Sequence, residues 1–130
     1  MTTRMFKTAA LALAAAGAFV VPPTAAALAQ DAEAGRVSFQ RRCSACHVVQ
    51  PGQNRVGPSL HGVVGRPAGQ VPGFNYSAAM RDSGKVWDEA SLDAYIANAR
   101  EYIPGTRMIL APLANAEERA NIVAYLATQR

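Results

Sequence analysis

The sequence predicts an all-α fold in a single small domain. Several segments carry apolar residues at helical spacing, and most of them follow a residue whose side chain can cap a helix. No stretch shows the convincing alternation of apolar and polar residues that is typical of a strand. A long stretch between the helical segments, residues 48–75, is rich in glycine and proline. Together these observations favour helices joined by extended loops.

Residues 1–29 have the pattern of an export signal. Arg4 and Lys7 precede an apolar run over residues 9–21, and Ala27-Leu28-Ala29 offers a site for cleavage. The run is shorter than the roughly 20 residues needed to cross a bilayer. We therefore expect cleavage after Ala29, export to the periplasm and a domain over residues 30–130. The alternative is an uncleaved amino-terminal membrane anchor.

The charge balance of the exported domain is nearly even. The full chain has 13 basic and 9 acidic side chains, a formal charge of +4, but Arg4 and Lys7 belong to the signal. So small an excess, with no basic stripe interleaved with aromatic residues, predicts no binding to nucleic acid. Nothing after the signal resembles a membrane span. We expect a monomer with no stable membrane insertion after cleavage.

The predicted first helix covers residues 32–42 and is followed by Cys43-Ser44-Ala45-Cys46-His47. Cys-x-x-Cys-His is the sequence signal for covalent haem attachment. On a helical turn both sulfurs and the imidazole share one face, so each thiol can add to a haem vinyl group. The histidine can then reach the iron as the proximal ligand. The motif predicts one covalently attached haem c.

Three other readings of the motif remain open. The cysteines could form a redox dithiol or a plain disulfide, and Cys43, Cys46 and His47 could bind zinc together with His61. None of these sites needs a histidine directly after the second cysteine. A thioredoxin-like dithiol would also follow a strand, whereas the residues before Cys43 predict a helix.

The stretch over residues 48–75 predicts a long loop because it has little hydrophobic periodicity. In a compact domain a loop of this length is usually functional. Apolar anchors along it argue against a disordered linker. These anchors are Val56, Leu60, Val63, Val64, Val71, Phe74 and Tyr76. We expect the loop to wrap around the haem.

Three further helices are predicted in the rest of the chain. Ser77 can cap a short helix over residues 78–83, and Asp88 can cap another that runs to about Asn98. An extended segment with Met108 follows Pro104-Gly105. In the last helix, Asn115 and Glu118 form a variant of the capping box. Its apolar stripe consists of Ile122, Val123, Tyr125 and Leu126.

Beyond the haem motif, ordered matches run along nearly all of residues 30–130. They are Val56-Gly57-Pro58-Ser59-Leu60-His61-Gly62, Gly65-Arg66, Pro72-Gly73-Phe74-Asn75-Tyr76-Ser77, Trp87, Tyr95 and Tyr102-Ile103-Pro104-Gly105-Thr106-Arg107-Met108. With these residues the chain resembles the small soluble class I cytochromes c. The resemblance implies the cytochrome c fold, in which the last helix crosses the first near Gly35 and Phe39 and loops surround one haem.

The resemblance also implies the ligands of the iron, which are His47 and Met108. A thioether is a soft, neutral ligand that favours reduced iron and raises the potential. Met80 is the internal rival, but its Ala-Ala-Met setting suggests packing. Pro58 resembles the residue whose backbone carbonyl accepts a hydrogen bond from the proximal imidazole. Tyr95 resembles a hydroxyl close to the methionine sulfur.

Three further residues match family positions near the haem propionates. They are Arg66, Tyr76 and Trp87, each of which can donate a hydrogen bond to a carboxylate. The resemblance gives His61 no role at the iron. Two positions depart from the family pattern, since Met80 stands where asparagine is common and Ala99 where proline is common.

The resemblance implies docking of redox partner proteins at the exposed haem edge. The family often uses a ring of lysines there, whereas the exported domain has Lys85 alone and otherwise arginines. The candidates are Arg41, Arg42, Arg55, Lys85, Arg100 and Arg107.

The function implied is that of a one-electron carrier and not of an enzyme. We expect it to take electrons from a respiratory or photosynthetic complex or a dehydrogenase and to pass them to a terminal oxidase or a reaction centre. The alternative is a haem peroxidase or a nitric-oxide-binding haem protein, which would require a labile methionine ligand.

Overall fold

A computed structural model describes residues 30–130 as a set of helices connected by long loops. The helices are α1 (Ala32–Arg42), α2 (Ala78–Arg81), α3 (Glu89–Ala97), α4 (Ala99–Tyr102) and α5 (Ala116–Ala127). Within these residues, extended pairing is limited to one isolated antiparallel bridge between Pro67 and Val86. The all-α prediction is confirmed. The predicted signal segment, residues 1–29, lies outside the described residues.

Side-chain caps set the start of both long helices. The Asp31 carboxylate accepts the backbone N–H groups of Glu33 and Ala34 at 2.9 and 3.0 Å, which starts α1 at the predicted residue. Asn115 Oδ1 accepts the N–H of Glu118 at 2.9 Å at the start of α5. The Glu118 carboxylate forms an ion pair with Arg42 at the end of α1. Glu118 therefore links the two long helices.

Helices α1 and α5 cross at a glycine. A Cβ atom on Gly35 would lie 1.8 Å from the backbone oxygen of Asn121, so α5 fits against α1 only because this residue has no side chain. One turn further along, the rings of Phe39 and Tyr125 lie 5.4 Å apart between centroids. The crossing near Gly35 and Phe39 is thus present as expected.

The middle of the chain differs in detail from the prediction. Helix α2 ends at Arg81, two residues earlier than predicted, and Asp82 is its C-cap. The helix expected to run to Asn98 is followed at once by α4, because Asn98 ends α3 and its side chain accepts the N–H of Glu101. Asn98 and Glu101 repeat the spacing of Asn115 and Glu118, so the sequence did contain a signal for α4.

The core lies among α1, α3 and α5 and continues into the loop residues. Among residues 30–130, no helix is long and apolar enough to span a membrane. One face of α3 is buried, with Leu92, Tyr95 and Ile96 each at most 7% exposed. These side chains form one wall of the internal space described next.

Candidate functional site

A cavity of about 740 Å³ lies inside the loops, and all nine residues proposed from the sequence as cofactor contacts line it. They are Cys43, Cys46, His47, Pro58, Arg66, Tyr76, Trp87, Tyr95 and Met108. Core side chains from α3 and α5, including Leu92 and Ile122, complete the wall. A cavity of this size with a mostly apolar lining suits a cofactor.

The two cysteines lie on one turn directly after α1. The N–H groups of Cys46 and His47 both donate to the carbonyl oxygen of Cys43, at 3.1 and 2.9 Å, so the turn presents both sulfurs and the imidazole to the cavity. Both thiols are free. Burial raises the pKa of Cys43 to about 11, which is the opposite of what a reactive dithiol needs.

The zinc alternative has no support in the structure. His61 is absent from the cavity lining, and its backbone carbonyl accepts a hydrogen bond from Arg66. Within the part of the chain that the structure describes, no three His, Cys, Asp or Glu side chains are grouped closely enough to hold a metal ion. The remaining cofactor reading of the motif is covalent haem.

The imidazole of His47 is held in one tautomer. Its Nδ1 lies 2.8 Å from the backbone oxygen of Pro58, and because a carbonyl oxygen can only accept, Nδ1 carries the proton. Burial lowers the pKa of His47, so the ring is neutral at pH 7. Nε2 is therefore left with a free lone pair, which is the form that a metal ion requires.

The loop that contains Pro58 lies tightly against this ring. A Cβ atom on Gly57 would lie 2.2 Å from His47 Cε1 and 2.6 Å from Nδ1. The Gly57 N–H donates to the Cys46 carbonyl at 2.9 Å, which fixes the loop to the haem motif. The imidazole consequently has little room to turn.

Arg66 has no carboxylate partner among the described residues. Its guanidinium is half-buried and donates to the backbone oxygens of His61 and Ser59 at 2.8 and 3.0 Å, and burial lowers its pKa. A desolvated cation paired only with carbonyl dipoles favours an anionic group nearby. Tyr76 and Trp87 line the same cavity. These three side chains fit the two carboxylates that a haem carries.

Both candidate methionine ligands line the cavity. Met108 lies in a loop, and its backbone N–H donates to Thr106 Oγ1. The Thr106 hydroxyl also forms a hydrogen bond with the Tyr95 hydroxyl at 2.7 Å. Met80 is held in α2 and is 8% exposed. Tyr95 is thus tied to the segment that carries Met108.

Three of the six candidate docking cations, Arg42, Arg55 and Arg107, contribute to the cavity lining. Arg42 is held by Glu118, and Arg107 donates to the backbone oxygen of Asn75. Lys85 lies over the ring of Tyr102, 4.3 Å from its centroid. Arg41 and Arg100 belong to α1 and α4.

Two polar loop residues, Asn54 and Ser59, also support the site, although their residue types alone do not predict this. Asn54 Oδ1 accepts the N–H of Ser59 at 3.0 Å, and the amide nitrogen of Asn54 donates to the backbone oxygen of Pro72 at 3.0 Å. Ser59 is 3% exposed, and its hydroxyl donates to the Gln50 carbonyl. Short polar residues are common in loops, so composition alone gave these two no special weight.

The fold and the cavity fit a small helical protein that encloses a largely apolar cofactor beside Cys43 and Cys46. Comparison with known proteins agrees, since the family Cytochrome c matches residues 32–130. The chain is 45% identical to cytochrome c2 of Rhodomicrobium vannielii over 121 residues, 92% of this chain and 96% of that protein. It is 46% identical to cytochrome c type-1 of Ascaris suum over 96 residues, 74% of this chain and 86% of that one.

A solved structure gives the same result. Cytochrome cH from Methylobacterium extorquens superimposes with a TM-score of 0.70 at 39% identity, covering 75% of this chain and 98% of that one. The chain belongs to the cytochrome c family, as a class I monohaem member. It binds one covalent haem c and carries electrons, and it is not an enzyme. The alternative of a haem peroxidase is therefore wrong.

Proposed function

We propose that this cytochrome c is a periplasmic one-electron carrier whose haem is attached at Cys43 and Cys46 and ligated by His47 and Met108. The observation that carries the proposal is that these four residues line one apolar cavity. The bound haem supplies iron that cycles between the ferrous and ferric states. A haem iron held by both His47 and Met108 would have no coordination position open to a substrate.

The residues around the cavity have separate tasks in this proposal. Pro58 fixes the tautomer and the orientation of the His47 imidazole, and burial keeps the ring neutral. Arg66, Tyr76 and Trp87 donate to the haem propionates. The Met108 thioether favours the reduced state and so raises the potential.

We further propose that the redox partners are acidic proteins that dock at the mouth of the cavity. A quinol-oxidising complex or a dehydrogenase is the donor, and a terminal oxidase or photochemical reaction centre is the acceptor. The docking cations are Arg41, Arg42, Arg55, Lys85, Arg100 and Arg107. The signal pattern of residues 1–29 supports export, and cleavage after Ala29 leaves a soluble monomer.

An absorption spectrum of the secreted protein tests the ligand assignment. The full chain is expressed in a host that matures c-type cytochromes, and the ferric form is expected to show the weak near-infrared band of a methionine-ligated haem. Met108→Ala should abolish this band, and Met80→Ala is the matched control that should keep it. A colourless secreted product would overturn the proposal, and loss of the band in Met80→Ala alone would overturn the assignment of Met108.

A further inference from the structure

The residue that follows the proposed signal cleavage site is a glutamine. Ala27-Leu28-Ala29 offers the site, so the exported domain begins at Gln30. Gln30 is exposed, and it comes one residue before Asp31, the N-cap of α1. Cleavage therefore places a new α-amino group and a side-chain carboxamide on the same residue, at the start of the first helix.

A glutamine with an α-amino group carries both partners of a cyclisation. The amine nitrogen attacks the side-chain Cδ and closes a five-membered lactam. The new bond to Cδ replaces the bond to the carboxamide nitrogen, which leaves as ammonia. Because both groups belong to one residue, the reaction needs no oxidant, reductant or second substrate. An α-amino group has a pKa of about 7.7–8.0, so part of it is unprotonated and nucleophilic near pH 7.

The structure fixes the residue that comes next. The Asp31 N–H donates to Asn121 Oδ1 at 2.9 Å, and the Asp31 carboxylate accepts the N–H groups of Glu33 and Ala34. Asn121 lies in α5 and is 8% exposed. Ring closure uses only atoms of Gln30. It therefore leaves the Gln30–Asp31 peptide and its hydrogen bond to α5 in place.

Two physical effects favour a lactam at this position over a free amine. A protonated α-amino group would lie beside the amino-terminal end of α1, where the helix dipole disfavours a positive charge, whereas the lactam is neutral. The lactam also blocks aminopeptidases, which act on a free α-amino group. Trimming past Asp31 would remove the cap of α1 and leave Asn121 Oδ1 without its donor.

We propose that Gln30 is a modification site and that the mature protein begins with pyroglutamate at this position. The inference rests on the proposed cleavage after Ala29. The modification removes the positive charge of the amino terminus and protects the hydrogen bond between Asp31 and Asn121, which joins α1 to α5.

Mass spectrometry of the holoprotein, isolated fresh from the periplasm of a host that matures c-type cytochromes, tests the modification. We expect the mass of residues 30–130 with one haem, less one ammonia, and an amino terminus that is closed to Edman degradation. Digestion with pyroglutamyl aminopeptidase should then expose Asp31 as the first residue.

Gln30→Asn is the informative variant, because its shorter side chain would have to close a strained four-membered ring with the same amine. It should keep its ammonia and be open to Edman degradation. Gln53→Asn, at an exposed position in a loop, is the matched control and should lose ammonia as the unaltered protein does.

A broad-specificity aminopeptidase tests the protective role. The unaltered holoprotein should keep its full length, whereas Gln30→Asn should lose residues from its amino terminus. Once Asp31 has been removed, the thermal midpoint of the variant should fall, because α1 has lost its cap. Trimming of the unaltered protein at the same rate as Gln30→Asn would contradict the proposal.

The outcomes separate this inference from the proposed function. A chain that begins at Gln30 with its full mass and an open amino terminus would overturn the modification and leave the cleavage after Ala29 standing. An amino terminus at any other residue would overturn both the cleavage and the lactam. A colourless product would overturn the haem assignment alone, because the mass of the amino-terminal peptide does not depend on haem.

Discussion

Gly35 in α1 lies so close to Asn121 in α5 that a Cβ atom on Gly35 would be 1.8 Å from the Asn121 backbone oxygen. The same atom would lie 2.5 Å from the Asn121 carbonyl carbon and 2.9 Å from Tyr125 Cβ. Two of the three obstacles are backbone, which cannot move without separating the helices.

We therefore expect Gly35→Ala to destabilise the holoprotein by about 1–3 kcal/mol. Alanine normally stabilises a helix interior relative to glycine by roughly 0.5–1 kcal/mol, so the predicted sign is opposite to the helix propensity. The free energy of unfolding in denaturant measures the effect. Gln40→Ala, at an exposed position of the same helix, is the control and should change little. An increase in stability for Gly35→Ala would contradict the close crossing.

Gly57→Ala should disturb the proximal ligand. The new methyl group would meet the imidazole of His47 at 2.2 Å, so either the ring turns or the Pro58 loop retreats. We expect a shifted His47 Nδ1–H resonance and a loss of about 1–3 kcal/mol in the free energy of unfolding. Val56→Ala, whose side chain is 77% exposed, is the matched control. An unchanged resonance in Gly57→Ala would refute the tight contact.

The ion pair between Glu118 and Arg42 should make stability depend on pH in the acid range. The hydrogen bond from Arg42 lowers the pKa of Glu118 in the folded protein. The stabilisation of the folded protein by this ion pair is fully present above the pKa of glutamate in the unfolded chain, near 4.3. It is lost as the pH falls through the lower pKa of Glu118 in the folded protein.

Denaturant titrations of the unaltered protein and Glu118→Gln can check this sign. Glu118→Gln should be the less stable protein at pH 7, and the difference should shrink as the pH falls towards about 3. Glu117→Gln, at the exposed neighbouring position, is the control and should show a smaller change. A difference that is constant with pH would exclude the pair as its source.

Docking at the cavity mouth predicts a salt-dependent reaction with an acidic redox partner. The association rate should fall as ionic strength rises, only moderately because the net charge of the exported domain is small. Arg55→Gln should slow association at low salt by roughly twofold, whereas Glu118→Gln should speed it, since Arg42 is then no longer neutralised. Stopped-flow kinetics measures both. A rate that is indifferent to salt would exclude this docking surface.

The sequence was most informative where local chemistry decides the structure. Asp31 and Asn115 cap the two long helices, and both helices begin where these side chains predict. The haem motif identified Cys43, Cys46 and His47 because their spacing has few other uses. The resemblance to the family predicted that the Pro58 carbonyl accepts a hydrogen bond from His47. The structure contains this hydrogen bond.

What the sequence could not supply depends on contacts between distant segments. Glu118 reads as half of a capping box, yet its carboxylate lies beside Arg42 because α5 crosses α1. The two bonds of Asn54 join residues 59 and 72, and no local pattern predicts which loop lies beside which. Helix α4 was missed although Asn98 and Glu101 carry its signal, because it follows α3 without a break.

Of the fourteen apolar side chains that are buried among residues 30–130, eight face the internal space: Val63, Met80, Trp87, Leu92, Tyr95, Ile96, Ile122 and Leu126. In the holoprotein these side chains pack against the haem, so a chain without haem buries less apolar surface and is less stable. Molecules that fail to acquire it should open readily and be degraded, because proteases cleave chains that unfold often. Assembly order would then act as quality control, leaving only coloured, redox-competent molecules to accumulate.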